Sequence, residues 1–153
     1  MAKRKPLEGL ELGIKKRTPI LLNHLSKILY DRIIQNISLT DHSTAQLKAE
    51  GFPYSKRNPQ ELHDPPYLVH KQTGRLASAV TINQINQYRA QVGIDEAKAP
   101  YVADVIYGTD KLIGRDFLAG SLNEVRPLLR EEVQEGMQAI VQESSNNVNG
   151  SEN

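Results

Sequence analysis

Between residues 79 and 94 apolar and polar side chains alternate in two successive runs, and this pattern most constrains what the chain can fold into. Val80 and Ile82 alternate with Thr81 and Asn83; Tyr88, Ala90, Val92 and Ile94 alternate with Arg89, Gln91 and Gly93. Two such runs joined by the polar stretch 83–87 predict an antiparallel hairpin. Its single apolar face needs a cover, and the sequence offers helices on both sides. Upstream, Leu21, Leu25, Ile28, Leu29 and Ile33 recur at three- and four-residue steps as far as Ile37, with Arg32 and Gln35 on the solvated side. Thr18 is the expected N-cap, and Pro19 stands at the first helical position, where its missing N–H costs nothing. Downstream, Asp116 is placed to cap a helix carrying Phe117, Leu118, Leu122, Val125, Leu129, Val133, Met137 and Ile140, which Pro127 should kink or restart.

The expected fold is therefore α+β: a small antiparallel sheet packed against a long N-terminal helix, with a C-terminal helix and extended loop and terminal arms. The 153 residues fit one domain, expected to span 18–142. Residues 1–17 read as a flexible basic arm and 143–153 as a polar tail with almost nothing to bury. Between the first helix and the hairpin, residues 44–50 suit a short helical turn. Pro53, Pro59, Pro65 and Pro66 break up the stretch 51–70. A loop of that length is unusual in a compact domain. Phe52, Tyr54, Leu62, Tyr67 and Leu68 give it apolar anchors, so it is expected to meet neighbouring subunits. Pro100 is expected to open a short helical turn through Val105.

Composition narrows the function classes. The chain has no cysteine, which excludes disulfides, thiolate metal sites and thiol nucleophiles. No apolar run reaches the length of a membrane span, and no uninterrupted apolar stretch follows the basic N-terminus, so a soluble protein kept inside the producing cell is expected. A net charge of +1 argues against a generic nucleic-acid binder. The cationic excess is local: Lys3, Arg4, Lys5, Lys15, Lys16 and Arg17 crowd the first seventeen residues, opposed by Glu8 and Glu11.

Site motifs are weak by comparison. His63, Asp64 and His70 offer metal-ligand types, yet Pro65 and Pro66 intervene and neither cysteine nor another nearby histidine supports them, so a solvated pair is the better reading. Ser78, His70 and Asp104 could be nominated as a triad, but no Gly-x-Ser-x-Gly elbow accompanies the serine. Arg126 and Arg130 precede Glu131, Glu132 and Glu135 at helical spacing, which predicts a solvated, salt-bridged face. His24 is expected to pack or to sit at a rim. No catalytic, cofactor-binding or metal-binding residue is assigned.

One ordered set of short motifs stands apart. Thr73-Gly74-Arg75-Leu76-Ala77-Ser78-Ala79 opens the hairpin; Pro100-Tyr101-Val102-Ala103 follows it, then Ile106-Tyr107-Gly108-Thr109, then Arg115-Asp116-Phe117-Leu118 at the start of a helix. This order resembles the phage neck and tail-completion proteins (head-tail connector, minor tail component), whose pattern runs TGxLxxS, a strand pair, a Tyr-Ala turn, an aromatic-Gly-Thr step and a Pro-Phe-Leu helix start. Asp116 stands where that pattern has proline, and Tyr107 where Phe is more usual. The matching residues are Thr73, Gly74, Arg75, Leu76, Ser78, Tyr101, Tyr107, Gly108, Thr109, Phe117 and Leu118. Each also has a simple role in folding: Gly74 suits positive φ, Gly108 suits a helix C′ position, and Phe117 and Leu118 can dock the last helix.

The resemblance implies a non-enzymatic structural protein without cofactor, located in the virion neck and assembled in the host cytoplasm. Its implied partners are further copies of itself in a ring, six by family setting, together with head-side connector or adaptor proteins and tail terminator or tail tube proteins. No membrane partner is expected. Repeated by ring symmetry, the basic arm would form a cationic belt suited to weak contact with channel DNA or with an acidic neighbouring surface. The alternative is a small nucleic-acid-binding or regulatory protein acting through that arm.

Overall fold

In a computed structural model of the chain, residues 6–40, 42–49, 56 and 67–149 are described. The elements run α1 (Pro6–Asn36), α2 (Thr44–Ala49), α3 (Arg75–Ser78), β1 (Val80–Asn86), β2 (Arg89–Ile94), α4 (Val102–Tyr107) and α5 (Phe117–Asn149). The fold is α+β, with a two-stranded antiparallel sheet between two long helices in the sequence.

Helix α1 is the element on which the others lean: it packs against α5 and against both strands. Contacts with α5 step in opposite directions along the two helices, so they are antiparallel. Arg17 meets Glu143, His24 meets Glu132, Arg32 meets Glu124, and Asn36 meets Ser121. Small residues set the spacing. A Cβ on Gly13 would lie 3.2 Å from Ser144 Oγ, and one on Gly136 would lie 2.9 Å from a Leu21 methyl. From Gly13 to Asn36 the pairing extends about 35 Å at the helical rise.

The hairpin pairs Val80 with Ile94, Ile82 with Val92 and Gln84 with Ala90, which gathers the apolar residues on one face. That face lies on α1. A register shift between Gln84 and Asn86 marks a bulge, and the strand continues to Asn86, past the predicted start of the turn. The side chain of Asn86 then accepts a hydrogen bond from the Tyr88 N–H at 2.8 Å, closing the turn. The main core lies at one end of the long helix pair, where Ile33 and Ile37 of α1 meet Val69, Ala79, Val80, Ala99, Val102 and Phe117.

Three sequence expectations need correction. Residues 6–17 belong to α1, which runs through Thr18 and Pro19 instead of starting there. Pro19 removes one backbone bond, but turns on both sides of it pack on α5, through Gly13 and Leu21, and packing outweighs local preference. The polar segment 143–149 is likewise helical. Ser144 is buried beside Gly13, and the Ser144 and Ser145 hydroxyls donate to the Ile140 and Val141 carbonyls, so their polar groups are satisfied inside the helix. Finally, of the kink or restart expected at Pro127 the restart does not occur, since α5 is one helix from Phe117 to Asn149. Its α1-facing line in the distal half runs through Gly136, Ile140 and Ser144, leaving Val133 and Met137 exposed.

Candidate functional site

The motif residues collect around the core end of the molecule. Gly74 precedes α3 with φ 78° and ψ 2°, the left-handed conformation its sequence position predicts. Thr73 Oγ1 accepts from the Arg75 N–H at 3.3 Å, and the Ser78 hydroxyl donates to the Arg75 carbonyl at 2.8 Å. This one-turn helix delivers Ala79 and Val80 into the core and packs Leu76 beside them. Arg75 is held across the hairpin by its Nε–H, which donates to the Lys98 carbonyl at 2.7 Å.

The second half of the motif set closes the other side. Helix α4 buries Val102, half-buries Val105 and Ile106, and leaves Tyr107 82% exposed. Tyr101, just before α4, is also exposed. Gly108 follows α4 with φ 75° and ψ 178°, a positive-φ conformation open to glycine but not the expected left-handed one. A Cβ there would stand 2.6 Å from Gly114 N, and one on Gly114 would stand 2.8 Å from Gly108 N, so two glycine backbones are stacked. Thr109 Oγ1 accepts from the N–H groups of Lys111 and Leu112 at 3.2 and 3.0 Å. The Arg115 N–H then returns to the Val105 carbonyl at 2.7 Å. Asp116 caps α5 by accepting from the Ala119 N–H at 3.0 Å, and Phe117 is fully buried with Leu118 packed on the same core.

Of the expected interface anchors, Phe52, Tyr54 and Leu62 lie outside the described residues. Leu68 is half-buried, and Tyr67 is engaged by the chain itself. Its ring lies over Gly120, where a Cβ would come within 2.5 Å of ring carbons, and its hydroxyl donates to Glu124 Oε1. Desolvation, then the Glu124 hydrogen bond and charge, push the Tyr67 hydroxyl up to about 12, against a smaller opposing effect of Arg32. Glu124 also meets Arg32 at 3.3 Å, and Asn36 donates to the buried Ser121 hydroxyl at 2.9 Å. This polar cluster ties the segment before α3 to both long helices. The sequence hinted at it through Asn36, a polar residue placed between Ile33 and Ile37.

Of the basic arm, Lys3, Arg4 and Lys5 fall outside the described residues. Lys15, Lys16 and Arg17 project from α1 into solvent. Lys15 pairs with Glu11 at 3.0 Å, and that hydrogen bond and charge raise its pKa. Arg17 grips Glu143 with a two-point contact, one bond being 3.1 Å from Nε to Oε2. Glu132, expected to pair along its own helix, pairs instead with His24 at 2.9 Å.

His70 is buried, its ring meeting that of His42 edge-on with centroids 5.0 Å apart; His63 and Asp64 lie outside the described residues. The Ser78 hydroxyl is directed to a backbone carbonyl. Among the described residues, no group of three or more metal-ligating side chains comes together, and no helix is long and apolar enough to cross a membrane.

The motif residues Thr73, Gly74, Arg75, Leu76 and Tyr101 also line one feature that their spacing does not announce. A cavity of about 500 Å³ opens beside α3 and α4, with Lys71, Arg75 and Arg115 in its walls. Comparison of the chain with protein-family models, curated proteins and solved structures found no match in any of the three.

Proposed function

We propose that the chain is a structural subunit of the neck of a tailed bacteriophage, one of a ring that surrounds the DNA channel and joins the head-side connector to the tail. The observation that carries this reading is the resemblance of the ordered motifs from Thr73 to Leu118. Support comes from where they fall: a left-handed Gly74 opening the hairpin, a glycine step ending α4, and a buried Phe117 starting α5 all serve one core. The partners are other copies of the chain, probed first as a hexamer, with head-side adaptor proteins and tail terminator or tube proteins above and below.

The reading has a direct test. Tailed particles purified from producing cells are digested and analysed by mass spectrometry, and the neck is imaged with the subunit labelled. The expected result is a ring of the chain at the head–tail joint; particles that lack the chain would refute the proposal. The alternative, nucleic-acid binding through the basic N-terminus, draws less support, because Lys15 and Arg17 already have carboxylate partners within the chain. Salt-dependent binding of duplex DNA by the free monomer, lost on reversing Lys15, Lys16 and Arg17, would restore it.

A further inference from the structure

The two long helices share a groove on the side where two of their ion pairs cross. Arg17 with Glu143 bounds one end, and His24 with Glu132 bounds the other. Between them lies an apolar hollow of about 210 Å³, lined by Leu21 and Ile140 and left open by the small residues Gly136 and Ala139. Ile20 stands on its rim, 64% exposed and level with Gly136, because the neighbouring Leu21 is the residue that meets this glycine. One face therefore carries, at the same height, a protruding aliphatic side chain on α1 and a hole on α5. An apolar cavity of about 150 Å³ takes a benzene-sized group, so this one has room for an isoleucine side chain. The charges are segregated as well. Helical spacing puts Lys16 in line with Ile20 and His24 on the α1 edge, beside Arg17, and Glu135 in line with Glu132, Ala139 and Glu143 on the α5 edge.

We propose that this face pairs with the same face of a second copy of the chain, about a twofold axis that runs along the groove. That axis lays α1 of each copy on α5 of the other. Ile20 then fills the hollow beside Gly136 and Ala139 of the second copy, and each cationic edge meets an acidic one. The product is a group of four helices whose neighbours are all antiparallel. An axis across the groove would instead set cationic edge on cationic edge and hollow on hollow, so the charges select the first arrangement. The ion pairs within each chain stay intact: Arg17 and Glu143 are each half exposed, and both groups keep free bonding positions after a two-point contact. A face about 35 Å long and about 20 Å wide, two helix diameters, covers about 700 Å². That is close to the roughly 800 Å² per partner of a standard interface. The pairing does not rest on the neck reading, since a ring joins two different surfaces and this one is its own complement.

Sedimentation equilibrium of the full-length chain over roughly 1–100 μM tests the pairing. A monomer–dimer equilibrium is expected. It should weaken about tenfold or more in Ile20→Glu, which would carry a charge into the hollow, and in Ala139→Gln, which fills it. Both positions are exposed, so each variant should keep the wild-type circular dichroism spectrum. A third variant tests the axis. Arg17→Glu combined with Glu143→Arg preserves the ion pair within each chain and the match within its own dimer, but sets like charges together in a mixed dimer with wild type. In an equimolar mixture with the variant isotope-labelled, native mass spectrometry should find mixed dimers about threefold or more below the statistical proportion. A monomer at every concentration, a dimer that either point variant leaves unchanged, or statistical mixing would overturn the pairing. The presence of the chain in tailed particles is scored separately, so either reading can fail without the other.

Discussion

The stack of Tyr67 on Gly120 predicts that one substitution will change sign with its background. Alanine at position 120 would place its Cβ about 2.5 Å from ring carbons of Tyr67, a distance the ring can relieve only by leaving. Leaving breaks the bond from the Tyr67 hydroxyl to Glu124, and a hydrogen bond to a charged group contributes about 1.5–3 kcal/mol. Against this, replacing glycine by alanine inside a helix is favourable by about 1 kcal/mol. Gly120→Ala should therefore destabilise the wild-type chain by about 0.5–2 kcal/mol. In a Tyr67→Ala background the clash is absent while the helix gain remains, so the same change should stabilise by about 1 kcal/mol. Urea unfolding of the four proteins, followed by circular dichroism at the helix band, gives the cycle directly. A Gly120→Ala effect of equal sign and size in both backgrounds would show that the ring does not rest on this glycine.

Other perturbations test other parts of the fold. Phe117→Ala empties a fully buried site and should cost about 3–5 kcal/mol by denaturant unfolding, whereas a cost under about 1 kcal/mol would mean the core is misplaced. Gly108→Ala meets both an unfavourable backbone conformation and the Gly114 backbone, so it should lower stability by at least about 2 kcal/mol, measured in the same way. Removing residues 1–17 should reduce helicity and the melting temperature, because Gly13 and Arg17 pack on α5; an unchanged melting curve would favour a detached arm. The raised Tyr67 pKa favours the protonated hydroxyl in the folded state. Its contribution is complete below the ordinary tyrosine value near 10 and is lost as pH rises through about 12. In an ultraviolet phenolate titration Tyr67→Phe should remove a hydroxyl that ionises near pH 12, and loss of one that ionises near 10 instead would contradict the assignment.

The hairpin was legible because alternation over a two-residue period has few other solutions, and the α5 start because Asp116, Phe117 and Leu118 combine a cap with a buried aromatic. The helix ends were not. Thr18-Pro19 carries a strong local start signal, yet it lies inside α1, and the serine-rich segment after Gln142 extends α5. In both places the deciding contact joins residues more than a hundred positions apart, Gly13 with Ser144 and Arg17 with Glu143, which no local window contains. Helical spacing alone also does not separate the exposed Val133 and Met137 from the buried Val125 and Ile140. The presence of Gly136 beside Leu21 turns a smaller-residue line inward instead. The cavity was invisible for the same reason: the stretch from Lys71 to Arg75 meets Tyr101, Val105 and Arg115 only through the fold.

The antiparallel pairing of α1 with α5 also sets an order of events during synthesis. Helix α1 leaves the ribosome before the other described elements, but α5, the surface that covers it along most of its length, follows all of them. Until Gly136, Ile140 and Ser144 emerge, Leu21 and the Gly13 face lack their contacts with α5, while the hairpin and α3 can already close over Ile33 and Ile37. Contacts of such wide sequence separation form slowly, and an uncovered apolar helix is exposed to association with other chains in the meantime. The nascent chain should therefore carry a folded core end and an open helix until the last turns of α5 arrive.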